Sequence, residues 1–427
     1  MRSSFPWMLA GALGCALALG FGLALGPADP AGAQQENVAE PVGKVLAVPD
    51  QPGPHWFWLS DVMLHRTALF DGDSGKLLGS ITAGSVGVGF VVSPLFSPDR
   101  REIYIPESYF SRGIRGDRTD VVTVYDGRTL MPKEEIAIPP KRAEYFPGIA
   151  ANALSDDGRY VAVFNVTPAQ SLTIVDAPAR RFVGEVQSAG CSLVYPAGPR
   201  RFFMLCADGT ALLVDVPEDG SAPAARRTER FFDPDKDPLA DKAVRLGKQW
   251  IFTSFEGTVH AVDFSGDQAR FADTWPLFSD ADRNDSWRVG GGQQIALHAP
   301  TGRLYVLVHQ GGPDTHKQAG SEIWVYEVAQ HKRLQRIPVN SPLANFVRGQ
   351  MRLRDRLRDR MLSWFLDHAL PNLGADSIVV TQDDRPALIV LSMIPPAVTV
   401  HDATSGAVLR EVSEPGIAGS LLFAPPA

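Results

Sequence analysis

The chain has 427 residues, of which 44% are hydrophobic and 21% charged, with a formal net charge of −7 at pH 7. That length supports a large buried core but exceeds a usual single domain, unless the chain closes a ring of repeats. Nothing in the modest acidic balance suggests a nucleic-acid surface.

The chain opens with Arg2 and an apolar run from Phe5 to Leu25, followed by Ala31-Gly32-Ala33. This pattern predicts a secretory signal cleaved after Ala33, so that residues 1–33 leave the mature protein. The run is also long enough to span a bilayer as a retained anchor. Cys15 lies inside the run, a poor place for a lipoprotein site. Residues 34–53 carry Pro41, Pro49, Pro52 and Gly53 and read as an irregular N-terminal arm. The folded body is expected over 54–427, beginning near Trp56.

From there one pattern recurs seven times: an apolar run ends in an acidic residue, then comes a turn and another strand-like segment. The acidic positions are Asp71, Asp126, Asp176, Asp215, Asp263, Glu327 and Asp402, spaced 39 to 75 residues apart. This spacing predicts an all-β fold, a seven-bladed β-propeller of four-stranded antiparallel sheets with variable loops. The recurring acids suit hairpin ends better than catalysis, because Asp side chains accept local backbone N–H bonds. Ser97-Pro98-Asp99, Asp156-Asp157-Gly158 and Pro300-Thr301-Gly302 each precede a β-branched or aromatic run and predict turns into the next strand. Gly158 and Gly302 are expected at positive φ.

The segment Tyr109 to Asp120 packs Arg112, Arg115 and Arg118 beside Tyr109 and Phe110. Its guanidinium groups can clamp carboxylates on a partner or be held by internal ion pairs. Cys191 and Cys206 flank two strand-like runs joined by Pro196-Ala197-Gly198-Pro199, which predicts a disulfide across a hairpin. Such a link stabilises by about 3 kcal/mol. Two buried free thiols are the alternative.

Ser279 to Asp285 has alternating carboxylates, but Asp285 and Gly291 replace the Gly and Glu of a calcium loop, so a solvated turn is expected. Gly290-Gly291-Gly292 lacks nucleotide-binding spacing and predicts a close backbone approach or a tight bend. His309 and His316 bracket a Gly-rich loop without an evident third metal ligand. Between the last two repeats, residues 349–373 place Leu353, Leu357, Met361, Trp364, Phe365 and His368 mostly four apart among five arginines. This predicts one inserted amphipathic helix whose apolar face packs on the ring, a partner subunit or a membrane surface.

Taken in order, several of these segments resemble a known family. They are Phe110-Ser111-Arg112, Arg115 to Asp120, Cys191, Phe202 to Gly209, Gly257 to His260, Trp287 to His298, His316-Lys317 and His401 to Gly406. The set resembles the heavy subunit of methylamine dehydrogenase over roughly residues 55–423, with the aromatic amine dehydrogenase heavy subunit as a relative. The resemblance implies a periplasmic assembly of two heavy and two light subunits. No cofactor is expected on this chain, because the family carries tryptophan tryptophylquinone on the light subunit. A small primary amine, methylamine first, is oxidised there to aldehyde and ammonia, and electrons pass to a blue copper protein of the amicyanin or azurin type. The catalytic residues are therefore expected on the partner, and Trp287 is not expected in the cofactor. Tyr109, Phe110, Arg112, Arg115, Arg118, Trp287 and Arg288 are the partner-interface candidates. The family places an aromatic residue after the first ring strand, at the mouth of the substrate channel. Here Leu59 to His65 is shorter and lacks a matching Phe, so Met63 or Leu64 takes that place. The competing classes are a stand-alone propeller hydrolase or lactonase and a non-enzymatic scaffold. The first requires a convergent acidic, histidine or metal site near the central channel.

Overall fold

The computed structural model describes residues 47–49, 51–61, 63–82, 93–143, 149–219, 221–339, 361–362, 373–393, 396–412, 416 and 419–424. The expected signal and most of the arm, residues 1–46, lie outside the described residues, as does the helix expected over 349–373 apart from Met361, Leu362 and Leu373.

Seven antiparallel sheets form the blades of a propeller. The repeated acidic signature has one structural meaning. Strands Arg66–Asp71, Arg118–Asp126, Ser171–Asp176, Ala211–Asp215, Thr258–Asp263, Glu322–Glu327 and Pro396–Asp402 each occupy the third position of a blade, counted from the innermost strand. Most of the acids then hold the turn to the outermost strand. Asp126 Oδ1 accepts from the backbone N of Arg128 and Thr129 at 3.0 and 2.8 Å, and Asp402 Oδ1 accepts from Thr404 and Ser405 at 3.1 and 2.6 Å. Asp71, Asp176 and Asp263 accept similar local bonds. Asp215 differs, pairing with Arg201, and Glu327 makes no side-chain cap. Gly158 and Gly302 adopt φ of 74° and 63° in their turns, as expected.

Side chains on a strand point alternately to opposite faces. In a ring each face meets a different neighbour. Phe57 and Leu59 pack toward blade seven, whereas Trp58 between them packs toward blade two. Seven apolar clusters result, one in each gap between consecutive blades, including the gap between the last and the first. Double-sided burial explains why central strands such as Val121 to Tyr125 are almost continuously apolar.

The ring closes by exchange of chain ends. Gly419–Phe423 is the innermost strand of the first blade and pairs with Trp56–Asp61, with Leu59 opposite Leu422. His55 ties the same seam on the opposite rim. Its Nδ1 meets Asp73 Oδ1 at 2.7 Å, and its Nε2 meets Asp383 Oδ2 at 3.2 Å and Arg385 O at 2.9 Å. Burial alone would lower the imidazole pKa, but Asp73, the Arg385 carbonyl and Asp383 together raise it above 6.5. Protonated His55 is therefore favoured in the folded ring. Its stabilisation is fully present below pH 6.5 and fades as pH rises through the raised value. We expect His55→Gln to flatten the fall in melting temperature between pH 6 and pH 8, an effect below about 1 kcal/mol. Equal pH slopes in variant and parent would refute this role.

Two sheets depart from four plain strands. In blade six the innermost position is split into Trp287–Val289 and Ile295–His298. Gly290 to Gly292 form the break, and a Cβ at Gly290 would strike the His309 ring and the Gln318 carbonyl. The close approach read from the three glycines is confirmed. The disulfide Cys191–Cys206 also forms, between residues directly opposite in their hairpin. The solvated turn expected at Ser279 to Asp285 is corrected to a short helix, Asp280–Asn284. Ser279 and Asp282 cap each other's backbone N–H, and the buried Asp282 carboxylate pairs with Arg333 at 2.9 Å.

Candidate functional site

Antiparallel succession places the hairpins between second and third strands, and the links between blades, on one face of the ring. This face gathers most of the site candidates. Met63 and Leu64 form the tip of the first such hairpin, with Asp61 Oδ1 accepting from both backbone N atoms at 2.9 and 3.0 Å. They are 64% and 38% exposed. In the next blade, strands Glu102–Phe110 and Arg118–Asp126 run nine residues each, against six for the matching pair of the first blade. The longer hairpin ends in a tight tip, with Ser111 N donating to Asp117 O at 3.0 Å and Arg112 N to Arg115 O at 2.9 Å.

One arginine of this hairpin takes the internal role read from the sequence. Arg118 is internal, clamping Asp120 through Nε and Nη2 at 2.7 Å each and donating to Arg142 O at 2.8 Å. Arg112 and Arg115 are exposed, and among the described residues no carboxylate pairs with them. Ile114 between them is 64% exposed. Tyr109 is 38% exposed, and burial of the rest of its ring together with the nearby Glu107 raises its phenol pKa. Phe110 is half-buried at the base of the tip.

Trp287 is placed differently from a surface anchor. It is buried against Trp324 at 4.9 Å and lies under the Arg336 guanidinium at 4.8 Å, so the core of blade six claims its indole. Arg288 beside it pairs with Glu256 at 2.6 Å. His309 and His316 do not converge. His309 Nε2 meets Thr315 Oγ1 at 2.9 Å, while His316 stacks on Phe255 at 3.5 Å between ring centres. Burial lowers both imidazole pKa values. Among the described residues no group of three His, Cys, Asp or Glu is arranged to hold a metal ion.

The innermost strands also enclose a channel along the ring axis, of about 750 Å³. Its wall includes Lys242, Asn152, Tyr195 and Trp250. Sequence reasoning missed this set because its members come from separate blades and share no local spacing. The only advance signal was the predicted closure itself.

Comparison with known proteins decides what kind of ring this is. A family model for the methylamine dehydrogenase heavy chain matches residues 60–347, which is more than half of the chain. The chain belongs to the methylamine dehydrogenase heavy-chain family. The heavy chain of Methylophilus methylotrophus is 27% identical over 433 residues, covering 99% of this chain and 97% of that protein. The heavy chain of Paracoccus versutus is 28% identical over 351 residues, covering 82% and 73%. Among solved structures, dihydro-heme d1 dehydrogenase NirN in complex with DHE matches with a TM-score of 0.51 at 18% identity, covering 87% of this chain and 76% of that one. A functionally unknown protein from Desulfotomaculum acetoxidans matches with a TM-score of 0.53 at 12% identity, covering 87% and 100%. At such identities the two structures support the fold alone. Membership in this family supports a heavy subunit of a multi-subunit amine dehydrogenase.

Proposed function

We propose that the mature chain is the heavy subunit of a periplasmic quinoprotein amine dehydrogenase. In this reading two copies assemble with two light subunits, each carrying tryptophan tryptophylquinone. The substrate is a small primary amine, methylamine first, and the electron acceptor is a blue copper protein of the amicyanin or azurin type. The observation that carries the reading is the family match, which runs through most of a closed seven-bladed ring. The quinone on the partner would supply the electron sink. This chain would contribute shape and charge: Met63 and Leu64 border the substrate entry, while Arg112, Ile114 and Arg115 dock against the light subunit. Exposed guanidinium groups flanking an apolar side chain suit an acidic rim around an apolar pocket.

Isolating the native assembly tests this directly. A small partner should co-purify, and methylamine should bleach a quinone absorption band in the complex. A native chain that purifies alone, or one that turns over substrate by itself, would overturn the reading. Within the complex, Arg112→Ala with Arg115→Ala is expected to slow light-subunit association about tenfold at low salt, with a smaller effect at high salt. An unchanged association rate would remove these arginines from the interface.

A further inference from the structure

We propose that Asp61 is a positioning residue for amine selection: its buried carboxylate fixes Met63 and Leu64 at the substrate entry and so sets the size of amine admitted. The inference rests on the reading that these two side chains border that entry. Asp61 is 2% exposed, a rare place for a carboxylate. A buried acid persists only where its oxygens are bonded. Oδ1 accepts from Met63 N at 2.9 Å and from Leu64 N at 3.0 Å, so one oxygen holds both residues of the lip through their backbone.

The same side chain is braced from the ring seam. The register of Trp56–Asp61 against Gly419–Phe423 shifts between Ser60 and Asp61, and a bulge of this kind re-aims a side chain. Gly416, just ahead of that innermost strand, makes room for the carboxylate, since a Cβ there would strike Asp61 Oδ2. One position back, Ser60 Oγ and Thr67 Oγ1 meet at 2.7 Å and tie the base of the hairpin. The lip therefore takes its position from the seam that closes the ring.

Packing does not fix the tip by itself, because Met63 is 64% exposed. Between Asp61 and Arg66, which face each other in the ladder, His65 adopts φ of 48°, a conformation that a residue with a side chain keeps only when its surroundings hold it. Removing the acceptor gives both amides to water and lets the tip relax. A fixed aliphatic lip admits a small amine and hinders a longer one, whereas a loose lip discriminates less. The reacting groups lie on the partner in this reading, so the effect falls on selection among amines rather than on turnover.

The test compares oxidation of methylamine and n-butylamine by the native assembly carrying Asp61→Leu, which removes both oxygens at similar size, or Asp61→Asn, which keeps one acceptor. In Asp61→Leu the preference for methylamine, as a ratio of kcat/KM values, should fall about tenfold, with kcat for methylamine within about twofold of the parent. Asp61→Asn should recover most of the preference. In the full heavy chain without its partner, hydrogen exchange at the Met63 and Leu64 amides should accelerate about tenfold in Asp61→Leu, while the blade cores keep their protection. Leu64→Trp examines the entry reading separately and should sharpen the preference for methylamine. If Leu64→Trp shifts the preference and a folded Asp61→Leu does not, the proposal is overturned and the entry reading stands. If Leu64→Trp changes nothing, or the parent assembly oxidises neither amine, both fall. Thermal melting identifies a variant that fails to fold, and Asp61→Ala then replaces Asp61→Leu. Failure of both to fold would make Asp61 a folding residue and also overturn the proposal.

Discussion

Ending the chain after Val412 is expected to abolish cooperative folding. The lost segment includes Gly419–Phe423, the innermost strand of the first blade. Without it, Trp56–Asp61 becomes an open edge with unpaired N–H and C=O groups, which invites aggregation. The loss also removes buried Leu422 from the core between last and first blades, and buried Leu421 from the other face of the same strand. It further frees Gln293, whose amide donates to Leu422 O at 3.0 Å and accepts from Leu422 N at 3.1 Å. Thermal unfolding followed by circular dichroism, with gel filtration, provides the measurement. The truncated chain should show no sharp transition and should elute as aggregate. A melting temperature within a few degrees of the full chain would mean that the seam does not hold the ring.

Replacing Trp324 by alanine is expected to cost about 3–5 kcal/mol, the range for removing a large aromatic group from a packed core. Trp324 is fully buried in blade six, between Trp287 at 4.9 Å and Phe278 at 5.5 Å. Arg333 and Arg336 cover its faces at 4.1 and 5.0 Å, and its Nε1 donates to Glu322 at 2.6 Å. The substitution leaves a cavity, strips Arg333 of its aromatic partner and leaves Arg336 with Trp287 alone. Denaturant unfolding of parent and variant gives the difference. Leu409→Ala, at a position 58% exposed, should stay within about 0.5 kcal/mol and serves as the control. A Trp324→Ala loss as small as that of the control would contradict the packing account.

Both expectations bear on function, since a heavy subunit can present its hairpins to a partner only from a closed ring. The strands were legible in the chain because their cause is local. Asp126 and Asp402 each follow an apolar run and hold their own turns through bonds two and three residues away. The internal pairing of Arg118 in the 109–120 hairpin was legible only as one of two alternatives. Arg118 and Arg112 look alike in sequence, and it is Asp120 together with the Arg142 carbonyl that separates them. Trp287 misled for a related reason. An indole beside an arginine suits an interface or a core equally, and the neighbour that decides, Trp324, lies 37 positions further along the chain. The short helix at Asp280 was hidden by its carboxylates, whose capping bonds resemble the start of an ion-binding loop.

The order of residues by itself determined seven repeats, their hairpins and the family of the protein, because alternation, turn chemistry and motif order act over a few residues at a time. Tertiary structure alone decided the seam, the seven inter-blade cores and the axial channel with Lys242 and Asn152. These depend on which distant strands become neighbours, and that follows from burying both faces of every blade at once.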